Sequence, residues 1–281
     1  FSLIESLINF VCDLLVRKKI KKQFGGNLKA FISGGGALDK EVGYFLNAIG
    51  LPTLQGYGLT ETSPVVSCNS INEIRVETVG KPFRGNLVKI TNDGEILVKG
   101  ENVMLGYWNN EEATKKVIIE PGVFRTGDLG KLTDGYLAIT GRVKSQFKLE
   151  NGKYVSPAPL EENLKLSPFV EQAVLDGRNM LRTYLIVHPN MHSLKPALSG
   201  AGVDVSGSDA DICARPETAS WLLNELKANN MKSPVWKGYE VAATLILDPV
   251  EWSTDNDMLT PSMKVKLRNL QAHHQGAIDA I

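Results

Sequence analysis

Ile4, Leu7, Ile8, Val11, Leu14 and Leu15 recur at the three- and four-residue spacing of one helical face, so residues 1–24 are expected to form an amphipathic helix. Its end carries Arg17, Lys18, Lys19, Lys21 and Lys22, cations that suit a helix C-terminus and would also suit a membrane surface. The apolar run is too short and too interrupted to span a bilayer. Gly25-Gly26 stops the helix. A short buried strand over 28–33 then leads through Ser33-Gly34-Gly35-Gly36-Ala37-Leu38 into a helix over 39–49, with Asp39 as its N-cap. A second strand covers 51–57. Strand, loop, helix and strand in this order predict a parallel α/β sheet, whose ligands sit at the carboxyl ends of its strands.

The pattern changes after Val79. Residues 79–90, 94–100 and 131–140 show β-branched alternation broken by Asn92-Asp93-Gly94 and Thr133-Asp134-Gly135, which predicts a small antiparallel sheet or barrel. Residues 109–114 look like a capped helix start. From Gly141 a polar stretch leads to a helix near 159–166, strands at 170–175 and 184–187, a Gly/Ser/Asp-rich loop at 199–211, a helix at 216–229, a strand at 239–247 and a final helix from about 262. The fold class is therefore α/β: a parallel sheet portion and a small barrel or antiparallel sheet in 1–141, followed by a smaller α+β domain in 142–281.

Composition narrows the function classes. With 31 basic and 31 acidic residues in 281, nothing favours a nucleic-acid polymer as partner. Cys12, Cys68 and Cys213 lie far apart and suggest neither a disulfide framework nor a zinc site, so an intracellular, reducing compartment is expected. The four histidines form no metal-ligand pattern, and His273-His274 reads as a solvated helix face. A chain that starts with Phe and enters directly into a helix suggests a piece of a longer protein.

Four stretches carry chemistry. Gln55-Gly56-Tyr57-Gly58-Leu59-Thr60-Glu61-Thr62 combines glycines that permit close backbone approach, an aromatic face, hydroxyls for phosphate oxygens and a carboxylate able to hold Mg²⁺. Phe124-Arg125-Thr126-Gly127-Asp128 offers a carboxylate for two sugar hydroxyls, with Arg142 within reach of the same sugar or a phosphate. Gly141-Arg142-Val143-Lys144-Ser145-Gln146-Phe147-Lys148 is a basic loop, and Leu259-Thr260-Pro261-Ser262-Met263-Lys264 precedes further cations. Each alone also reads as a turn, a solvated loop or a capped helix start.

Together, in this order, they resemble the carboxyl-terminal part of a long-chain fatty acyl-CoA synthetase of the adenylate-forming (AMP-binding) superfamily. The resemblance covers nearly the whole chain. It implies ATP, Mg²⁺ and CoA as cofactor and co-substrates, and a fatty acid as substrate. Gly34, Gly35 and Gly36 would form the adenine-side loop, with Gln55, Gly56, Tyr57 and Gly58 beside the nucleotide. Thr60 would contact phosphate, Glu61 would hold the metal, and Asp128 and Arg142 would hold the ribose. Residues 94–108 resemble a connecting structural motif. Lys144 would be a hinge; Lys264 would serve acyl-AMP formation and Lys148 the thiol-transfer step. The family's Gly/Ser/Thr-rich phosphate loop ending in Pro-Lys-Gly is missing, so the ATP site of these residues is expected to be incomplete and the chain alone inactive. Pro121-Gly122-Val123-Phe124 stands where an Asp-Gly-Trp-Phe is usual. Two other readings keep the same residues: a ligase delivering to acyl carrier protein, and a non-catalytic nucleotide-binding or interaction module. Peripheral membrane association is compatible with a lipid substrate.

Overall fold

The helical spacing of the first residues is realised in a computed structural model, which describes residues 2–281. Phe1, at the head of the expected helix, lies outside them. Helix α1 (Leu3–Cys12) passes through a π-helical turn (Asp13–Arg17) into α2 (Lys18–Gln23). Arg17 braces the wide turn, pairing with Asp13 at 2.9 Å and donating to Asn9 Oδ1 at 3.0 Å and the Ala48 carbonyl at 2.9 Å. Left-handed Gly25 and Gly26 (φ 76° and 75°) end the helix. Its apolar face is not buried: Ile4, Leu7, Ile8, Val11, Leu14 and Leu15 are 43–72% exposed. Among the described residues, no helix is long and apolar enough to cross a membrane.

Strand β1 (Phe31–Ser33), helix α3 (Lys40–Ala48) and strand β2 (Thr53–Gly58) form the expected parallel unit, but β1 is shorter than the strand expected over 28–33 and is not buried, Ile32 being 69% exposed at the sheet edge. Asp39 caps α3 by accepting from the Glu41 and Val42 amides at 2.7 and 3.3 Å. β1 and β2 pair in parallel with Ser33 opposite Gln55. β3 (Val65–Cys68) and β4 (Lys81–Pro82) then extend the sheet antiparallel in the order β1-β2-β3-β4, so its parallel part is one strand pair.

The middle region is an open antiparallel sheet. Its elements are β5 (Leu87–Ile90), β6 (Glu95–Lys99), α4 (Glu111–Val117), β7 (Ile118–Glu120), β8 (Val123–Thr133) and β9 (Tyr136–Arg142). The order is β5-β6-β8-β7, with β9 on β8. The strand expected over 79–90 is split, because Pro82 lacks an amide to continue pairing and Gly85 turns the chain at φ 96°. Asp134 and Gly135 both take positive φ (52° and 80°), as a two-residue hairpin turn requires. Val66, Ile96, Val98 and Leu137 form a solvent-free cluster beneath.

The chain divides into two compact units between Lys144 and Ser145. The second contains β10 (Phe147–Lys148), β11 (Tyr154–Val155), α5 (Pro157–Leu164), β12 (Val170–Asp176), β13 (Tyr184–Pro189), α6 (Met191–Gly200), α7 (Asp209–Cys213), α8 (Pro216–Asn229), β14 (Thr244–Leu247), α9 (Leu267–His273) and α10 (Gln275–Asp279). β12 and β14 flank β13, the first antiparallel and the second parallel to it. Side chains alternate across this sheet. Ala173, Leu175, Leu185, Val187, Leu245 and Leu247 bury one face with α5, α6 and α8, while Val174, Tyr184 and Ile186 bury the other with Trp252, Leu259 and Leu270.

Four expectations in this unit change. The loop expected over 199–211 is helical at both ends: α6 runs to Gly200 despite Pro196, and α7 starts from a capping box between Ser208 and Asp211. The strand expected from Tyr239 starts at Thr244, because Glu240 folds back to accept from the Lys237 amide at 2.8 Å. The helix expected from 262 starts at Leu267, preceded by a turn bridged between Leu259 and Val265. His273 is exposed, but His274 is half-buried, its Nε2 2.9 Å from Oδ2 of buried Asp248. This pairing spans 26 residues and leaves no local signal at either position.

Candidate functional site

Parallel pairing of β1 and β2 places the loops that follow them side by side. A Cβ on Gly34 would lie 3.6 Å from the Gly56 carbonyl. Gly35 needs its glycine for conformation (φ 81°), and a Cβ at Gly36 would meet no atom within 4 Å, so this loop opens onto free space. The glycines of β2 answer to the chain's own packing. A Cβ on Gly58 would sit 1.7 Å from the Pro64 carbonyl, and one on Gly56 would touch Cys68 Sγ at 3.4 Å. The Gln55 amide is likewise turned onto the chain, donating to the Val76 carbonyl.

Asp128 joins this region from β8. The Tyr57 hydroxyl donates to Asp128 Oδ2 at 2.8 Å, and Arg142 Nε approaches Oδ1 at 3.0 Å. β8 and β9 set the second contact by pairing Asp128 opposite Arg142. Burial, reinforced by the charge of Asp128, pushes the Tyr57 hydroxyl well above its usual pKa, which keeps it protonated as a donor. The turn beneath is held by buried Glu95, which accepts from Arg125 Nε at 3.1 Å and from the Gly127 amide at 3.2 Å. Thr126 accepts from the Asp128 amide at 3.1 Å and donates to the Ile96 carbonyl at 2.8 Å. The carboxylate is thus oriented from both sides by charge-assisted bonds.

Thr60 and Glu61 lie on a single 3-10 turn (Thr60–Thr62) at the end of β2. Thr60 is exposed and Glu61 half-buried. The Tyr107 hydroxyl donates to Glu61 Oε1 at 2.9 Å, and the Met104 amide donates to the Glu61 carbonyl at 2.9 Å. Burial, then the bond to Glu61, raises the Tyr107 pKa. A carboxylate with one oxygen oriented and a neighbouring hydroxyl make a hard oxygen donor set of the kind Mg²⁺ takes.

Lys144 is exposed at the end of the first unit, so the two lysines assigned to chemistry belong to the second. Lys148 lies on β10 between Phe147 and Leu149, both buried in the cluster on the first face of the β12–β13–β14 sheet. Lys264 lies in a turn whose flanks, Leu259 and Val265, pack on the second face. Both ammonium groups are on exposed residues.

Residues 4–108 match the family described as AMP-binding enzyme. The chain is 37% identical over 278 residues to the long-chain-fatty-acid–CoA ligase FadD15 of Mycobacterium bovis, covering 96% of this chain and 45% of that protein. The chain belongs to the AMP-binding enzyme family. It is also 32% identical over 299 residues to a chloroplastic long-chain-fatty-acid–[acyl-carrier-protein] ligase of Arabidopsis thaliana, covering 98% of this chain and 38% of that one. Among solved structures, the adenylation domain of a carboxylate reductase from Mycobacterium chelonae superposes with a TM-score of 0.77 at 22% identity, over 96% of this chain and 41% of that one. At that identity the likeness concerns the fold. The chain spans less than half the length of these relatives.

Two residues that orient the candidate site, Glu95 toward the Asp128 turn and Tyr107 toward Glu61, escaped the motif reading. Glu95 and Tyr107 both lie in 94–108, taken there as structural. Glu95 carried a readable signal, since an acidic residue beside the buried run Ile96-Leu97-Val98 needs a partner. Tyr107 carried none: its partner Glu61 is 46 residues away.

Proposed function

We propose that this chain is the carboxyl-terminal part of an enzyme that activates a long-chain fatty acid with ATP to acyl-AMP and transfers the acyl group to the thiol of CoA. The observation that carries the reading is the Asp128 carboxylate, oriented by Tyr57 of β2 and Arg142 of β9. The names of the relatives supply the acid and the acceptor. The chain spans 45% of the FadD15 relative, so in this reading the phosphate loop belongs to a further part of the enzyme. The chain alone is then inactive.

In this reading Asp128 accepts the two ribose hydroxyls, while Arg142 and Tyr57 hold its orientation. Gly34, Gly35 and Gly36 leave room for the base. Thr60 donates to a phosphate oxygen, and Glu61, steadied by Tyr107, holds Mg²⁺. When bound, the ion offsets negative charge on the phosphates. A carboxylate and an α-phosphate repel by about 4 kcal/mol at ~4 Å in a medium of effective dielectric near 20, and the Lys264 ammonium placed between them counters this. The first unit acts as the nucleotide-binding part and the second as a mobile part turning at Lys144. The turn exchanges the Lys264 side for the Lys148 side, so that the thiol can attack the acyl carbonyl and expel AMP.

An acyl carrier protein as acceptor is a second reading, favoured by the similarity to the Arabidopsis carrier-protein ligase. Both are tested by supplying the longer protein with ATP, Mg²⁺ and a long-chain fatty acid. Acid-dependent pyrophosphate release is expected, followed by thioester formation with CoA. Thioester formation on carrier protein alone would select the second reading, and no pyrophosphate release would reject both.

A further inference from the structure

Lys264 is presented by a turn with a defined scaffold. Thr260 Oγ1 accepts from the Lys264 amide at 3.0 Å while the Thr260 amide donates to the Lys264 carbonyl at 2.8 Å. The Met263 amide donates to the Thr260 carbonyl at 2.8 Å, and Met263 itself takes a left-handed φ of 60°. Below the turn, the Lys266 amide donates to the Met258 carbonyl at 2.8 Å and closes the stem.

Asp257 stands at the foot of this stem. Its Oδ1 accepts from the Lys266 ammonium, and its Oδ2 accepts from Asn269 Nδ2 at 2.8 Å. Asn269 Nδ2 also donates to the Asp257 backbone carbonyl at 2.8 Å. Asp257 holds φ 60°, a region that non-glycine residues enter at a cost, and two contacts from Asn269 of α9 and one from Lys266 just before it hold it there. Charge is distributed unevenly as a result. The stretch from 264 to 268 carries Lys264, Lys266 and Arg268, and Asp257 takes the middle cation. Among the described residues, the Lys264 ammonium has no ion-pair or hydrogen-bond partner.

We propose that Asp257 is a positioning residue for Lys264: it ties the stem of the turn to α9 and occupies Lys266, leaving Lys264 as the cation presented to anionic substrates. The inference rests on the assignment of Lys264 to acyl-AMP formation. The pairing also sets a division of labour along the segment. Two lysines two residues apart compete for the same anions, and a carboxylate on one of them fixes which ammonium points away from the stem.

The test uses the longer protein with Asp257→Gly and Asp257→Asn, both of which tolerate the left-handed backbone, and Lys264→Ala in parallel. Asp257→Gly should slow acyl-AMP formation about threefold to fivefold, the range an exposed ion pair supports. Thioester formation from supplied acyl-AMP serves as the internal control. Hydrogen exchange should accelerate at the amides of Thr260, Met263, Lys264 and Lys266 and nowhere in β12–β14. Asp257→Asn, which keeps an acceptor for Asn269 and loses the negative charge that pairs with Lys266, should fall between Asp257→Gly and the unmodified protein. Unchanged acyl-AMP formation and exchange in Asp257→Gly, with Lys264→Ala impaired, would overturn the inference and leave the Lys264 assignment standing. If Lys264→Ala leaves acyl-AMP formation intact, that assignment fails by itself, and exchange alone decides whether Asp257 locks the turn.

Discussion

Lys148 and Lys264 are carried on opposite sides of the β12–β13–β14 sheet. Phe147 and Leu149 anchor the first in the cluster beneath α5 and α8; Leu259 and Val265 anchor the second against Tyr184, Ile186 and Trp252. The apolar neighbours of the two lysines thus belong to different clusters of one unit.

Removing the Asp128 carboxylate should weaken nucleotide binding. Tyr57 and Arg142 hold it in place, and loss of a charge-assisted, two-point hydrogen bond costs roughly 1.5–3 kcal/mol. Direct titration of the Asp128→Ala form of the longer protein with ATP should therefore show an affinity reduced by about tenfold or more. Unchanged affinity would reduce Asp128 to a partner of Tyr57.

Glu95 should matter through the same site without touching a ligand. Glu95→Ala leaves the Gly127 amide and the Arg125 guanidinium without their acceptor, at a cost of about 1–3 kcal/mol. Thermal unfolding should shift down and nucleotide affinity fall together. A fall in stability with affinity intact would separate the turn's packing from its function.

Glu161 should make the second unit pH-sensitive. Burial outweighs the bond from the Leu175 amide and raises its pKa from 4.5 to about 7. A carboxyl group that holds its proton more tightly when folded destabilises the fold as pH rises from about 4.5 through about 7, and the cost is complete above that. Glu161→Gln keeps an acceptor for Leu175 and removes the ionisation. It should stabilise the protein at pH 8, by roughly 1–3 kcal/mol, and change little at pH 4.5. Equal effects at both pH values would contradict the account.

Much of the fold was legible because local rules decided it. Asp39 caps α3, Pro216 opens α8 and Asp134-Gly135 turns β8 into β9 as their residue types require. The choice between sheet and barrel was not legible, since closure depends on strand pairing across the chain. The motif positions were legible as a set, but their contacts were not. Gly58 was read as room for a ligand, yet it accommodates the Pro64 carbonyl. Pairs such as Tyr57 with Asp128, 71 residues apart, leave no trace in either local sequence. The segment before Lys264 misled for a physical reason: Thr260 and Pro261 fit a capped helix start, while Thr260 instead closes a turn onto Lys264.

The most direct test of the two-sided unit separates the half-reactions in the longer protein. Lys264→Ala should strongly slow acyl-AMP formation, read as acid-dependent pyrophosphate release, and still convert supplied acyl-AMP and CoA to thioester. Lys148→Ala should do the reverse. Both residues are exposed, so thermal stability should stay within about 0.5 kcal/mol of the unmodified protein. Opposite losses in the two folded variants are the expected result; equal loss of both half-reactions in each would contradict it.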